Sequence, residues 1–307
     1  MQKHTITSTF TALLAAFIIA ACSETVGAGL DKQAIAKAAD TQAMVEGDVV
    51  RIGWTRDEVV VTVDGLPLPP AAGLGSWAAF KPIGTGEDAM VMGDTVVFQD
   101  EVDAAMDAAF ASGLSVTALH NHFFYDQPKV YFMHIAGHGP PAELASGVKA
   151  VWDAIKQVRA ANQQPATQFA GAIPEPNGKI DAKRIERITG LNVSTNPDGV
   201  VKVSTGRTAS THGTEIGGST GLTSWAAFTG NDELAVIDGD FIMTAAEVQP
   251  VLKALRDAGL HVVAVHNHMI GEEPTFYFTH FWGKGPVADL AKRFKMALDV
   301  QKQIQKR

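Results

Sequence analysis

Histidine is the residue type in this chain whose number and spacing best suit chemistry, and one arrangement of it occurs twice. Each copy has a His-Asn-His triplet and a third histidine further along, and an offset of 146 residues relates the copies. The six histidines are His120, His122 and His134 in the first copy and His266, His268 and His280 in the second. Neutral imidazoles are favoured ligands of Zn²⁺, Cu and Fe, so three converging rings per copy predict a transition-metal site.

Each triplet ends a run of residues that alternates as a strand does. Successive side chains of a strand point to opposite faces, so one face should carry Leu260, Val262, Ala264, His266 and His268. The paired histidines are therefore predicted to extend an apolar row that faces the core. If the next strand folds back as a hairpin, the third histidine lies beside the other two.

A carboxylate in the loop between these strands is the predicted companion of the histidines. Glu272 follows the second triplet, and Asp126 occupies the matching place after the first. Glu272 is predicted to act as a further ligand or as a general base. Two alternatives stay open: the histidines form a hydrogen-bonded structural network, or they bind an organic ligand instead of a metal.

Basic residues at two other pairs of matched positions predict ligand binding. His138 and Lys284 stand in Gly-x-Gly-Pro segments, where a proline at a helix start and flexible glycines expose backbone N–H groups to an anion. The alternative is an ordinary helix start with an incidental basic residue. Arg56 and Arg207 predict either a site for a substrate carboxylate or an ion pair with a nearby acid.

The segments that position these residues are duplicated as well. The sequence Ser-Trp-Ala-Ala-Phe at 76–80 recurs at 224–228, and its Trp77 and Trp225 are predicted to lie in the core or in a pocket wall. Residues 30–156 form the predicted first repeat, residues 157–179 a linker, and residues 180–307 the second repeat. Two copies are too few for a solenoid and favour a pair of domains related by a pseudo-twofold axis.

The hydrophobic pattern predicts the order β-β-α-β-β-α in each repeat, which is an α+β fold with a mostly antiparallel sheet. In the second repeat, Asp238-Gly239 predicts a tight turn between two short strands. Thr244 and Glu247 form a capping box for the next helix, in which Pro250 predicts a kink or a late start. The predicted strands are 234–237, 241–243, 260–268 and 275–282, followed by a helix from Pro286 to about residue 304.

The N-terminus predicts export. Residues 10–21 are an almost unbroken apolar run, which suits the core of a signal peptide. The run ends at Cys22, the only cysteine in the chain, as in a bacterial lipobox. Residues 1–22 are therefore predicted to be a lipoprotein signal peptide with Cys22 lipidated, and residues 23–29 a tether. Ser23 resembles a signal for the outer membrane, which would place the protein in the periplasm.

Composition narrows the remaining function classes. Among 307 residues, 46% are hydrophobic and 19% are charged, as in ordinary globular proteins. The net charge of −8 and the absence of a Lys/Arg cluster exclude nucleic acid as a partner. Without a cysteine after position 22, the body of the protein has neither disulfides nor a catalytic thiol.

Taken together, the Ser-Trp-Ala-Ala-Phe segment, the His-Asn-His triplet, Tyr-Phe-x-His and Gly-x-Gly resemble the LppY/LpqO family of bacterial lipoproteins. The resemblance covers residues 45–305 and implies an exported, envelope-associated protein of unknown function. It supplies no catalytic residues.

The leading hypothesis is an envelope lipoprotein that binds a metal ion or small polar ligand through the duplicated histidines. The alternatives are a metal-dependent hydrolase that acts on an envelope substrate and a structural or cell-wall-binding module.

Overall fold

The structure is a computed structural model that describes residues 29–175 and 178–306. The predicted signal peptide, Cys22 and all but the last residue of the predicted tether lie outside the described residues. Within the described ranges, no helix has both the length and the apolar character that a membrane crossing requires.

One antiparallel sheet runs through the centre of the described chain and takes strands from both repeats. In chain order the strands are β1 (Ala43–Glu46), β2 (Val49–Thr55), β3 (Thr62–Val63), β4 (Leu66–Pro67), β5 (Gly75–Pro82), β6 (Ala89–Phe98), β7 (Ser115–His120), β8 (Asp126–Gln127), β9 (Val130–Gly139), β10 (Val193–Thr195), β11 (Val201–Gly206), β12 (Ala209–Thr211), β13 (Thr214–Ile216), β14 (Thr223–Gly230), β15 (Ala235–Met243), β16 (His261–His266) and β17 (Tyr277–Gly285). The order in the central sheet is β1-β2-β5-β6-β9-β7-β16-β17-β15-β14-β11-β10. Strands β3, β4 and β8 form a small separate sheet, and β12 pairs with β13.

Helices cover one face of this sheet, and each repeat contributes three of those described. They are α1 (Lys32–Ala39), α2 (Val102–Ala111), α3 (Pro141–Ala161), α4 (Ala182–Thr189), α5 (Ala245–Asp257) and α6 (Val287–Gln305). The main core lies between helices and sheet, where alternate strand residues such as Ile237, Phe241 and Met243 are fully buried. The opposite face carries two small apolar clusters, one around Phe132 and one around Phe278.

The two half-sheets meet at β7 and β16, which lie at the centre of the strand order. These strands pair at Leu119 and Val265. Beside that pair, the side-chain amide of Gln249 on α5 accepts a hydrogen bond from the Val116 N–H at 2.9 Å and donates one to the Val116 carbonyl at 2.7 Å. Equivalent strands of the two repeats follow in the same order when each half-sheet is followed from its outer edge to the centre. The halves are therefore related by a pseudo-twofold axis at this joint.

The predicted α+β class, the mostly antiparallel sheet and the duplication are confirmed, but details differ. The short helical patterns that begin at Leu30 and Ile180 form α1 and α4, which the predicted order β-β-α-β-β-α leaves out, and α3 continues to Ala161, into the predicted linker. The turn predicted at Asp238-Gly239 is wrong, because β15 passes through it unbroken. Gly239 is needed for close packing instead, since a Cβ there would lie 2.2 Å from Cζ of Phe281.

Of the two outcomes predicted for Pro250, a kink or a late start, the late start does not occur. The helix begins at Ala245, and Pro250 lies inside it. The Thr244 N–H donates to Oε2 of Glu247 at 2.7 Å, so the predicted capping box fixes the start five residues ahead of the proline.

A β-bulge decides which face of the sheet carries the histidines. The pairing of β16 with β17 shifts between Val262 and Ala264, and β7 has the equivalent shift. As a result Val262 and Val265 both pack in the core under the helices, whereas His266 lies opposite Phe278 on the other face. The prediction that the histidines extend the core-facing row is therefore wrong, because one extra residue reverses the faces of all residues after it.

Candidate metal centre

Three adjacent strands of the second repeat bring its candidate metal-binding residues together on the helix-free face of the sheet. His280 on β17 lies directly opposite Asp240 on β15 and, on its other side, opposite Ala264 on β16. His266 ends β16, and His268 follows it in the loop. The central strand of the three therefore carries one histidine between a carboxylate and the His-Asn-His triplet.

The side chains converge on one oxygen of Asp240. Nε2 of His268 lies 3.3 Å from Oδ2 of Asp240, and Nε2 of His280 lies 4.0 Å from the same oxygen. One ligand atom from each of Asp240, His266 and His268 falls within 4.8 Å of the others, so these three residues form a triad that could hold a metal ion. A tetrahedral ion with bonds of about 2.0–2.1 Å separates its ligand atoms by about 3.3–3.4 Å, and the His268–Asp240 distance matches this value.

Hydrogen bonds at the other ring nitrogens orient these imidazoles. Nδ1 of His280 donates to the carbonyl of Gly239 at 3.1 Å, and Nδ1 of His266 lies 3.3 Å from the carbonyl of Asn267. His268 makes a hydrogen bond with the backbone of Gly221. Outer partners of this kind fix the tautomer of a metal-binding histidine and leave Nε2 free to bind the ion.

Two atoms of the triad are buried without any hydrogen-bond partner among the described residues: Oδ1 of Asp240 and Nε2 of His266. Asp240 is 1% exposed, so its carboxylate is almost wholly removed from water. A buried polar atom without a partner is costly, and a bound cation would satisfy both atoms at once.

Burial also sets the protonation of the cluster. It lowers the pKa of His266 and of His268, and nearby histidines add to the effect. Burial raises the pKa of Asp240, although His280 and His266 oppose this shift. Burial therefore favours the neutral form of His266 and His268, which is the form that binds a metal ion.

A stacked phenylalanine holds the outermost histidine in place. The ring of His268 lies on the ring of Phe278, with centroids 3.4 Å apart and planes 10° from parallel. In the first repeat His122 stacks on Phe132 in the same way, at 3.3 Å and 7°. Each phenylalanine belongs to the small apolar cluster of its repeat, so both stacked histidines rest on a buried support.

The first repeat has the same residue types in a looser arrangement. Nε2 of His134 lies 4.0 Å from Oδ1 of Asp94, an oxygen that has no hydrogen-bond partner in the described chain. The rings of His120 and His122 are 5.1 Å apart, and burial lowers the pKa of His122. Over the described residues, only the second repeat has three ligand atoms close enough to share one ion.

The predicted carboxylates Glu272 and Asp126 are held by their own loops. Oε1 of Glu272 accepts a hydrogen bond from the Phe276 N–H at 2.9 Å, and Oδ2 of Asp126 accepts one from the Val130 N–H at 2.7 Å. Both loops contain a cis peptide bond before proline. Glu272 is not a member of the triad, but its Oε2 is buried without a partner in the described structure.

Arg56 and Arg207 lie in ion pairs with glutamates at matching positions of the two repeats. Arg56 is 1% exposed and binds both carboxylate oxygens of Glu101 at 2.9 Å. Arg207 pairs with Glu247 at the start of α5. Of the two predicted readings, the structure thus places both guanidiniums in contact with an acid.

His138 and Lys284 are the second-to-last residues of β9 and β17, so they lie in the sheet and not at the first turn of a helix. His138 is exposed and pairs across the sheet with Met90. Nζ of Lys284 donates to three linker carbonyls, the nearest being Phe169 at 3.2 Å. Lys284 therefore attaches the linker to the second repeat.

The two tryptophans of the repeated segment are half-buried and face cations. Arg51 lies over the ring of Trp77 at 4.5 Å, and Lys202 over that of Trp225 at 4.2 Å. Trp225 also meets His280 edge to face, with ring centroids 6.3 Å apart, so it forms part of the wall around the candidate metal centre.

Asp94 and Asp240 are the site residues that sequence reasoning missed. Both follow a glycine in a mostly apolar strand, and the offset between them is 146 residues, the same as for the histidines. A carboxylate kept inside an apolar strand of both copies is the signal that would have identified them.

Comparison with known proteins adds a family but no activity. A family model described as Domain of Unknown Function (DUF1259) matches residues 33–154 and again residues 183–300. The double match confirms a duplicated domain of unknown function, while the narrower LppY/LpqO resemblance stays a prediction. No curated protein matches the chain significantly.

Three solved structures resemble this chain with very low TM-scores. EtuB from Clostridium kluyveri is 12% identical, with 86% of this chain and 90% of that chain covered and a TM-score of 0.22. The trimeric bacterial microcompartment shell protein PduB is 11% identical, with coverage of 85% and 89% and a TM-score of 0.19. EutL from Clostridium perfringens is 14% identical, with coverage of 71% and 80% and a TM-score of 0.19. Scores this low support no inference about this chain.

Proposed function

The chain belongs to this family of unknown function, and from its geometry we propose that it binds a transition metal ion in the second repeat. Asp240, His266 and His268 are the proposed ligands, with His280 as the fourth. Zn²⁺, Cu and Fe all suit this set of imidazoles and one carboxylate. The first repeat provides a weaker second site at Asp94 and its three histidines. With the predicted signal peptide and lipidated Cys22, the protein would present these sites in the cell envelope, and Ser23 favours the outer membrane.

One observation carries the proposal: the convergence of His268 and His280 on a buried carboxylate oxygen, beside two buried ligand atoms that lack a partner. A purely structural histidine network would be expected to satisfy its own buried atoms. The hydrogen bonds at Nδ1 of His280 and His266 support the same conclusion, since they leave Nε2 as the free nitrogen.

Metal-dependent hydrolysis is the second candidate, and one observation favours it. Glu272 has a buried carboxylate oxygen without a partner in the described structure, as a general base near a metal-bound water would before substrate arrives. Its other oxygen is already bonded to the Phe276 N–H, which limits how far the side chain can turn. Metal binding is thus the better supported of the two functions.

Elemental analysis of the untagged protein, purified without chelator and then dialysed against Zn²⁺, Cu²⁺ or Fe²⁺, tests the proposal. We expect about one tightly bound ion per chain. The variant His266→Ala/His268→Ala should lose it, whereas the matched His120→Ala/His122→Ala variant should keep it.

His212→Asn serves as the control for adventitious binding, because His212 is an exposed histidine outside both clusters. If this variant loses as much metal as the double variant of the second repeat, the proposed site is wrong. If no ion is retained by any form, the histidines are a structural network or bind an organic ligand. Hydrolase assays on the loaded protein, with Glu272→Gln beside it, then separate a binding protein from an enzyme.

A further inference from the structure

A groove of about 490 Å³ lies between the two repeats, next to the candidate metal centre. Strands β7 and β16 pair only where Leu119 meets Val265, and the groove opens beside that pair. Its floor includes Val263 and Ala264 of β16, and Phe169 of the linker contributes to its wall. A cavity of this size suits a small organic ligand.

The strand register places a second row of side chains beside the metal-binding row. Trp282 on β17 lies opposite Asp238 on β15 and, on its other side, opposite His261 on β16. The neighbouring row on the same face is Asp240 and His280. His280 lines the groove as well, so a ligand bound there would touch the candidate metal centre.

The charge of the groove is negative. Asp103 and Asp238 both line it, and neither a lysine nor an arginine of the described chain does. Asp103 is neutralised by Arg256, 2.7 Å away, and its carboxylate also contacts Nδ1 of His261. Asp238 is in no ion pair in the described ranges, although His280 and Lys202 attract its carboxylate from a longer distance. One carboxylate of the groove is therefore left for a ligand.

Aromatic rings form much of the remaining wall. Trp282, Tyr131 and Phe169 line the groove, and Phe169 is held by stacking on His261 with ring centroids 3.9 Å apart. Aromatic faces attract cations as well as apolar groups, most strongly when the cation is partly removed from water. Ring faces together with one unpaired carboxylate complement a positively charged group on an apolar body.

We infer that this groove binds a small organic cation, an amine or quaternary ammonium compound with an apolar body. The ammonium group lies against Asp238 and Trp282, and the apolar part lies on Val263 and Ala264. The four residues proposed to hold the cation are not proposed metal ligands, although His280 of the metal centre borders the same groove.

The pair Asp238 and Trp282, which is proposed to hold the ammonium group, has no counterpart in the first repeat. The offset of 146 residues that relates the histidines places Met92 where the second repeat has Asp238, and Ala136 where it has Trp282. Neither residue offers a charge or an aromatic face. The first repeat therefore supplies the natural substitutions with which to test the site.

Three probes of similar shape and different charge test the inference: phenethylamine, 2-phenylethanol and 3-phenylpropanoate. Binding is measured by isothermal titration calorimetry on the full protein in its metal-free and Zn²⁺-loaded forms. We expect the amine to bind at least about tenfold more tightly than the alcohol, because a hydrogen bond to a charged group is worth more than a neutral one. The carboxylate should not bind measurably.

Asp238→Asn should abolish the advantage of the amine over the alcohol and leave the affinity for the alcohol unchanged. Trp282→Ala should weaken both. Asp64→Asn, which removes a carboxylate at a positive-φ turn outside the groove, should change neither. Equal affinities for all three probes, or an unchanged preference in Asp238→Asn, would overturn the inference. Selective amine binding that persists in His266→Ala/His268→Ala would separate this site from the metal site.

Discussion

Each histidine cluster has three histidines and one aspartate at equivalent positions, yet only one cluster forms a compact ligand set. In the second repeat His268 reaches to 3.3 Å from Asp240, and Nδ1 of His280 is bound to Gly239. In the first repeat the shortest distance between a histidine and the aspartate, within the described structure, is 4.0 Å. Residue identity is therefore not enough to make a metal site, and the surrounding contacts decide.

One neighbouring side chain accounts for much of the difference. In the first repeat Phe123 packs edge to face on Phe132 and fills the space over Gly73, where its Cζ would lie 3.0 Å from an added Cβ. In the second repeat the matching residue is Met269, and the ring of His268 occupies the equivalent space beside Gly221. We expect the bulkier residue to hold the first-repeat histidine away from its aspartate.

The largest expected effect concerns the glycine that precedes each aspartate. In Gly239→Ala the new Cβ would lie 2.2 Å from the Phe281 ring and 2.4 Å from the Trp225 carbonyl, whereas in Gly93→Ala the nearest atom would be 2.8 Å away. We expect a loss of about 3 kcal/mol for Gly239→Ala and about 1 kcal/mol for Gly93→Ala, since overpacking a tight core is costly. Urea unfolding measures both, and equal losses would show that the two strands are packed alike.

Exchange of the aspartates tests the difference between the metal sites directly. Asp240→Asn should lower the affinity for Zn²⁺ about a hundredfold, because a charged ligand is lost, and loss of an outer partner alone costs about ten- to a hundredfold. Asp94→Asn should change the tight binding by less than about threefold, since its cluster is not the main site. Competition with a chelator of known affinity gives both values. A larger effect of Asp94→Asn would reverse the assignment.

The ion pair at the start of α5 predicts a dependence of stability on pH. Burial raises the pKa of Glu247, but the Thr244 amide, Gln305 and Arg207 outweigh it, so the folded-state pKa lies below its ordinary value. The unfolded chain then binds more protons in acid, and the stabilisation present at neutral pH is lost as the pH falls through the folded-state pKa. Glu247→Gln should cost about 2 kcal/mol at pH 7 and much less at pH 3. Thermal unfolding of both proteins between pH 3 and pH 7 measures this loss of stability. A loss that does not change with pH would contradict the prediction.

The smallest effect is expected from exchanging the residues that follow the triplets. Phe123→Met should let His122 approach Asp94 and raise the affinity of the first repeat for Zn²⁺ by about tenfold, which corresponds to about 1.4 kcal/mol. Met269→Phe should lower that of the second repeat by a similar factor. Measuring both in a background that lacks the other site isolates each change. Unchanged Zn²⁺ affinities in both variants would show that a different contact causes the difference between the two metal sites.

Much of the fold could be predicted because its signals are local. The duplication is visible in matched residues, the capping box at Thr244 and Glu247 starts α5, and Pro286 precedes α6. The histidines were recognised as candidate ligands because three of them recur at one spacing. Local patterns of this kind do not depend on how distant segments pack.

The parts that could not be predicted depend on contacts between strands. The alternation of apolar residues in the sequence does not reveal the bulge at Val263, yet this bulge places His266 on the opposite face of the sheet. Asp240 joins the site only because β15 pairs with β17. Arg56 and Glu101 are far apart in the sequence, and only folding brings them together as a buried ion pair. Spacing along one strand could not show which acid each basic residue meets.

The joint between β7 and β16 has a consequence for any half-length version of this protein. Alone, the first repeat would have β7 as an outermost strand, and the backbone groups of Val116, which Gln249 now satisfies, would face water. Unprotected outer strands of this kind recruit other chains. A separately expressed repeat is therefore expected to self-associate or aggregate, so the covalent linkage of the two copies protects the protein's solubility.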